Sequence, residues 1–92
     1  VRFTWDTRKS TRNWRARGFD FAFASQVFDG PTLERVDTRR DYGERRVVAI
    51  GVVEGVCLTV VYTDRPGARR LISARKSSRH ERHAYHAATR RP

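Results

Sequence analysis

The stretch Arg46-Val47-Val48-Ala49-Ile50-Gly51-Val52-Val53-Glu54-Gly55-Val56-Cys57-Leu58-Thr59-Val60-Val61-Tyr62-Thr63 decides the fold. β-Branched residues crowd two runs of strand length, and Glu54-Gly55 between them has the form of a two-residue hairpin turn. The two runs are therefore expected to pair antiparallel. Their apolarity is nearly continuous instead of alternating, so both faces of the hairpin must be at least partly covered. Asp64-Arg65-Pro66-Gly67 supplies a second turn, with Pro66-Gly67 suited to type II geometry. Residues 69–75 then form a last strand, and the three strands make a meander.

Working outward, the last strand runs straight into Arg75 and Lys76. Ser78 and Glu81 have the Ser-x-x-Glu spacing of a capping box, which predicts a helix over 79–88 and a frayed basic tail over 89–92. At the other end, residues 1–5 alternate apolar with polar as a short first strand. Asp6 is a fair N-cap for a helix over 7–17, Gly18 its terminator, and Trp14 the residue to dock it. Asp20 caps a second helix to about residue 28, in which Phe21, Ala24 and Phe28 share a core-facing side. Asp29-Gly30-Pro31 is a strong breaker, 33–36 reads as a short edge strand, and 37–43 as an exposed loop. The expected class is α+β: an antiparallel sheet of four to five strands, two N-terminal helices on one face, and one C-terminal helix beside the last strand.

Ninety-two residues make one small domain. With 38% hydrophobic and 33% charged residues, its core is modest. The net charge of +10 is uneven: residues 1–18 carry +5, 19–64 carry −3, and 65–92 carry +8. Two basic ends around an acidic middle suggest a polyanion surface built from both termini, most simply for nucleic acid. Eighteen of the 20 cations are Arg, which favours bidentate contact with phosphate. No apolar run approaches a membrane span, so no membrane role is expected. The single cysteine, Cys57, lies among apolar residues as a buried strand position, and a reducing cytoplasm is the natural compartment.

The chemistry-bearing residues concentrate after residue 69. Arg70, Arg75 and Lys76 offer charge stabilisation, Ser73 a hydroxyl to orient a phosphate, Glu81 a base, and Tyr85 an acid or a stacking platform. That set suits work on a phosphodiester; its plain alternative is a solvated surface helix after an ordinary strand. Arg75 shares strand parity with Ser73, whereas Lys76 starts toward the opposite face if the strand persists through both. On the first helix Arg8, Arg12 and Arg15 form a basic stripe without acidic partners at i+4; it is either a plain solvated face or, with Lys9 and Arg79, a surface that tracks an RNA backbone. His80, His83 and His86 are three apart and drift around their helix. His80-Glu81-Arg82-His83 brings its second histidine one residue early for the zinc motif, so neither metal nor cofactor is expected.

Several blocks resemble the BrnT toxin family. They are Trp5-Asp6-x-x-Lys9-x-x-x-Asn13, Gly18-x-Asp20-Phe21-x-x-Ala24, Val27-Phe28-Asp29, Tyr42-Gly43-Glu44-x-Arg46 and Val61-Tyr62-Thr63. Most specific is Ile72-Ser73-Ala74-Arg75-Lys76, with Glu81 and Tyr85 behind it. The likeness spans nearly the whole chain with the blocks in order. It implies a RelE-like α+β ribonuclease of a type II toxin–antitoxin pair. It further implies a BrnA-like ribbon-helix-helix antitoxin as partner, and operator DNA bound through their complex. The sequence departs from the family after Asn13, where a Lys-His-Gly ending is usual and Ala16-Arg17-Gly18 stands here. The expected activity is metal-independent endoribonuclease cleavage of single-stranded RNA by the RNA's own 2′-OH. A non-catalytic nucleic-acid binder, or a module that only receives an acidic antitoxin, would share the same charges.

Overall fold

The computed structural model describes residues 1–90; the last two positions of the expected basic tail, Arg91 and Pro92, lie outside the described residues. The hairpin is present as expected. Strands β3 (Val47–Val53) and β4 (Val56–Arg65) pair antiparallel through Glu54-Gly55, both with positive φ (49° and 79°) as a twist-matched two-residue turn requires. Strand β5 (Ala68–Lys76) returns along β4, and β2 (Leu33–Val36) pairs antiparallel with β3. Strand β1 (Phe3–Trp5) closes the other edge, giving the order β1-β5-β4-β3-β2. The sheet is therefore mixed, because β1 runs parallel to β5. A three-residue strand joined to its partner by no turn carries no local signal of its direction.

Helix α1 (Thr7–Arg17) starts where the Asp6 carboxylate accepts the amides of Arg8 (2.9 Å) and Lys9 (3.3 Å), and it stops at Gly18. Polar contacts hold it. The Ser10 hydroxyl is buried and accepts the Phe21 amide at 3.0 Å, and the Asn13 amide donates to the Phe19 carbonyl at 3.0 Å. Trp14, expected to dock the helix, is instead 59% exposed. Helix α2 (Phe21–Ser25) is capped by Asp20 and tightens into a 3-10 turn (Gln26–Asp29) before the Gly30-Pro31 break. The Ser25 hydroxyl bonds back to the Ala22 carbonyl at 2.7 Å, a competitor to regular helix geometry. The turn lies close on β3: a Cβ at Gly51 would sit 2.8 Å from the Val27 Cβ.

The core divides over the two sheet faces by strand parity. Phe21, Ala24 and Val27 pack on Val53, Leu58, Val60, Leu71 and Ala74 on one side. Ile50 and Cys57 face the other side and are covered by Tyr85. Both faces of β3 are thus buried, which explains its unbroken apolar run. Tyr85 belongs to helix α3 (Arg79–Thr89), which begins at the expected capping box of Ser78 and Glu81. The position of α3 corrects the sequence expectation. It leaves β5 and crosses to pack over β3 and β2, because the apolar surface still uncovered is there.

The segment after β2 is not merely an exposed loop. The Asp37 side chain is 1% exposed and holds the Arg39 fork at 2.9 and 2.8 Å and the Tyr42 hydroxyl at 3.1 Å. The Arg39 bond above all keeps the Asp37 carboxyl far below the usual carboxylate range. Arg46 lies 4.3 Å over the Tyr42 ring and pairs with Glu44 at 3.1 Å. No helix among the described residues is long and apolar enough to cross a membrane.

Candidate nucleic-acid interface

The geometry of β5 depends on one irregularity. Val61 pairs with Ser73 but Tyr62 pairs with Leu71, so Ile72 is an extra residue and parity changes there. Arg70, Ser73 and Arg75 consequently stand opposite Thr63, Val61 and Thr59 on one face. Leu71, Ala74 and Lys76 stand opposite Tyr62, Val60 and Leu58 on the other. In a regular strand Arg70 would face away from Ser73 and Arg75; the bulge brings the three together. The strand does run through both Arg75 and Lys76, and these two diverge as the parity argument requires.

Arg75 is held in place. Its fork meets Glu81 with Nη1 to Oε1 at 2.6 Å and Nη2 to Oε2 at 2.9 Å. Glu81 also accepts the Ser78 amide at 2.8 Å, so one carboxylate closes the helix cap and clamps the arginine. The Arg75 hydrogen bonds, then the Ser78 amide, lower the Glu81 pKa to about 2. The same bonds raise the Arg75 pKa, while the nearby Arg39 charge acts against that rise. A carboxylate so stabilised is a poor proton acceptor near neutrality. Tyr85 is equally engaged: it is 5% exposed, and its hydroxyl donates to the Pro31 carbonyl at 2.8 Å. It is no open stacking platform, because it supplies the core under α3.

The open chemistry lies on the outer edge of β5. Strand β1 pairs with Arg69, Arg70 and Leu71, so, among the described residues, 72–76 have no second strand beside them. Helix α1 passes along this edge and leaves a cleft of about 480 Å³. Lys9, Arg12, Asn13 and Arg17 line it from the helix, and Ile72, Ser73, Ala74 and Arg75 from the strand. Among the described residues, four cations and no acid line this space. Of the expected basic stripe, Arg12 faces both this cleft and a neighbouring shallow surface that it shares with Arg8 and Arg15. Lys9 is thus brought to Ser73 and Arg75, while Arg8 and Arg15 lie a step away. Arg79, at the first turn of α3, is exposed, and so are His80, His83 and His86.

Sequence reasoning missed the bulge at Ile72 and the place of Arg17. The first had a signal: Leu71 and Ala74 are both small-to-medium apolar residues three apart, a spacing that a regular strand cannot bury on one face. The second had one too, since Arg17 is a cation in the last turn of α1, directly before the Gly18 that ends the helix.

A mixed five-stranded sheet in which the open end of β5 and the flanking helix α1 line a cationic cleft makes this a small α+β protein with a surface suited to a polyanion. The chain belongs to the BrnT family, described as the ribonuclease toxin of a type II toxin–antitoxin system, whose family model matches residues 5–81. Membership implies an RNA substrate and an antitoxin partner. None of the curated proteins compared with the chain matches it.

Proposed function

We propose that the protein is a metal-independent endoribonuclease that cleaves single-stranded RNA in the cleft between α1 and the outer edge of β5. The reading rests on one observation above the others: among the described residues Lys9, Arg12 and Arg17 of α1 line one cleft with residues 72–75 of β5, and no acid lines it. The RNA 2′-hydroxyl gives up its proton to solvent as its oxygen attacks the adjacent phosphorus, and the 5′-oxygen leaves and takes a proton from solvent, giving a 2′,3′-cyclic phosphate and a 5′-hydroxyl end. Negative charge builds on the phosphoryl oxygens, and preorganised cations lower that barrier. Arg75, with Arg70 on the same face, stabilises this charge, and Ser73 orients the phosphate. Glu81 acts by fixing the Arg75 fork, a role its pKa of about 2 suits better than that of a base. Lys76 and Arg79 anchor the strand outside the reacting phosphate, and Tyr85 serves the fold.

Neutralisation follows from the same charge. A BrnA-like ribbon-helix-helix antitoxin would place an acidic segment over the cleft, steered to it quickly at low salt. The pair would then bind operator DNA through the antitoxin, in the cytoplasm. The test is incubation of the isolated protein with end-labelled single-stranded RNA in excess EDTA. Fragments ending in cyclic phosphate support the reading, and intact RNA held in a salt-sensitive complex would support a non-catalytic binder instead.

A further inference from the structure

Trp14 has no task in the fold. It projects from α1 with 59% of its surface exposed, while Ser10 and Asn13 do the docking. A lone exposed apolar residue needs no explanation, but Trp14 is not alone. It borders a second cleft, of about 500 Å³, lined also by Phe19, Phe23 and Val56 (37% exposed), the first residue of β4. Arg17 and Lys76, both exposed cations, complete its charged lining. Arg17 also lines the α1–β5 cleft, so the aromatic surface and the phosphate-binding surface are continuous around the C-terminal turn of α1.

From this continuity we infer that the Trp14 cleft is a nucleobase subsite, in which a base of single-stranded RNA stacks on the indole while Arg17 and Lys76 hold the phosphates on either side of it. The inference rests on the cleft reading given above and extends it from phosphate contacts to a base contact. The chemistry fits the surface. Bases stack on exposed aromatic faces without regard to their hydrogen-bonding edges, and cations flanking the ring supply the backbone contacts that single-strand binders need. Asp20, the one acid in the lining, is already committed, since its carboxylate accepts the Phe23 amide at 2.8 Å as the cap of α2. The parity of β5 gives Lys76 its place here: it emerges on the α1 side of the sheet while Arg75 emerges on the other. A strand of RNA wrapping the sheet edge would meet both.

The experiment uses a short 2′-O-methyl oligonucleotide, which cannot be cleaved by its own 2′-oxygen, and a set carrying a single abasic position at each site in turn. The Trp5→Phe variant leaves Trp14 as the only indole. Its fluorescence should be quenched on binding, and one abasic position should abolish the quench. Trp14→Ala should weaken binding roughly five- to a hundred-fold, the range for loss of one stacked base. The slope of affinity against salt should stay unchanged, because no phosphate contact is lost. Trp14→Phe should recover most of the affinity, and the abasic oligonucleotide should bind Trp14→Ala no worse than the intact one does. Salt-dependent binding that ignores both Trp14→Ala and every abasic position would overturn the subsite while leaving the cationic cleft standing; a protein partner covering Trp14 would give that result. Absence of any binding at low salt would overturn the subsite together with the RNA reading beneath it.

Discussion

Helices α1 and α3 are each eleven residues long, each follows a strand, and each starts from a side-chain cap. Their chemistry is spent differently. In α3 the groups that look catalytic are committed: Glu81 closes the capping box and clamps Arg75, and the Tyr85 hydroxyl is bonded to Pro31 within the core. In α1 two polar residues do the docking, and Lys9, Arg12, Arg17 and Trp14 are left to line open clefts. Residue type points to α3, whereas the hydrogen bonds leave the unengaged groups on α1. A side chain is free to bind a substrate only when the fold has not already used its bonding capacity.

The largest expected effect lies on the α3 side and concerns stability. Tyr85→Ala removes a buried aromatic and its bond to Pro31, and denaturant melts should show a loss of roughly 3–5 kcal/mol. A smaller loss would mean that α3 is not anchored by this ring. Next comes the residue that joins the two regions. Arg75→Lys keeps the charge but loses the planar fork, and the cleavage rate should fall by about 2–4 kcal/mol of transition-state stabilisation. Lys76→Arg should change that rate far less, since Lys76 faces the other side of the sheet; equal losses would break the parity argument.

On the α1 side, alanine at Lys9, Arg12 and Arg17 together should reduce the slope of log affinity against log salt by roughly two. Alanine at Arg8 and Arg15 should reduce it less. If the second pair matters more, the RNA follows the outer stripe and not the cleft. The smallest effect is the pH dependence of the clamp. The folded Glu81 pKa, about 2, lies below its ordinary value of 4.5, so the clamp's stabilisation is complete above about 4.5 and is lost as pH falls toward 2. Thermal melts of Glu81→Gln should therefore lack that part of the acid-induced decline. An unchanged decline would place the acid sensitivity elsewhere, with Asp37 the first group to examine.

Much of this contrast was legible where the signals are local. The 46–63 hairpin, the Asp6 and Asp20 caps and the Ser78–Glu81 box are written in adjacent residues, and each stands where its spacing put it. What escaped depends on distant partners. The parallel direction of β1 follows from pairing with a strand more than sixty residues away, and the crossing of α3 to β3 and β2 follows from which face α2 leaves bare. The burial of Asp37 needs Arg39 and Tyr42 folded back on it. The candidate site divides in the same way. Ser73 and Arg75 could be put on one face by counting, but adding Arg70 requires the extra residue at Ile72, and adding Lys9 and Arg17 requires knowing which edge of β5 the first helix follows.

The central claim is that the free cations of α1, and not the committed groups of α3, handle RNA. The most direct measurement is single-turnover cleavage of one labelled single-stranded RNA in EDTA, at protein concentrations below saturation. It compares the wild-type protein, the Lys9/Arg12/Arg17 alanine variant and Tyr85→Phe, with melts confirming that each is folded. The account predicts that the α1 variant loses most of the rate while Tyr85→Phe cleaves as the wild type does. A wild-type rate for the α1 variant together with an inactive Tyr85→Phe would contradict it.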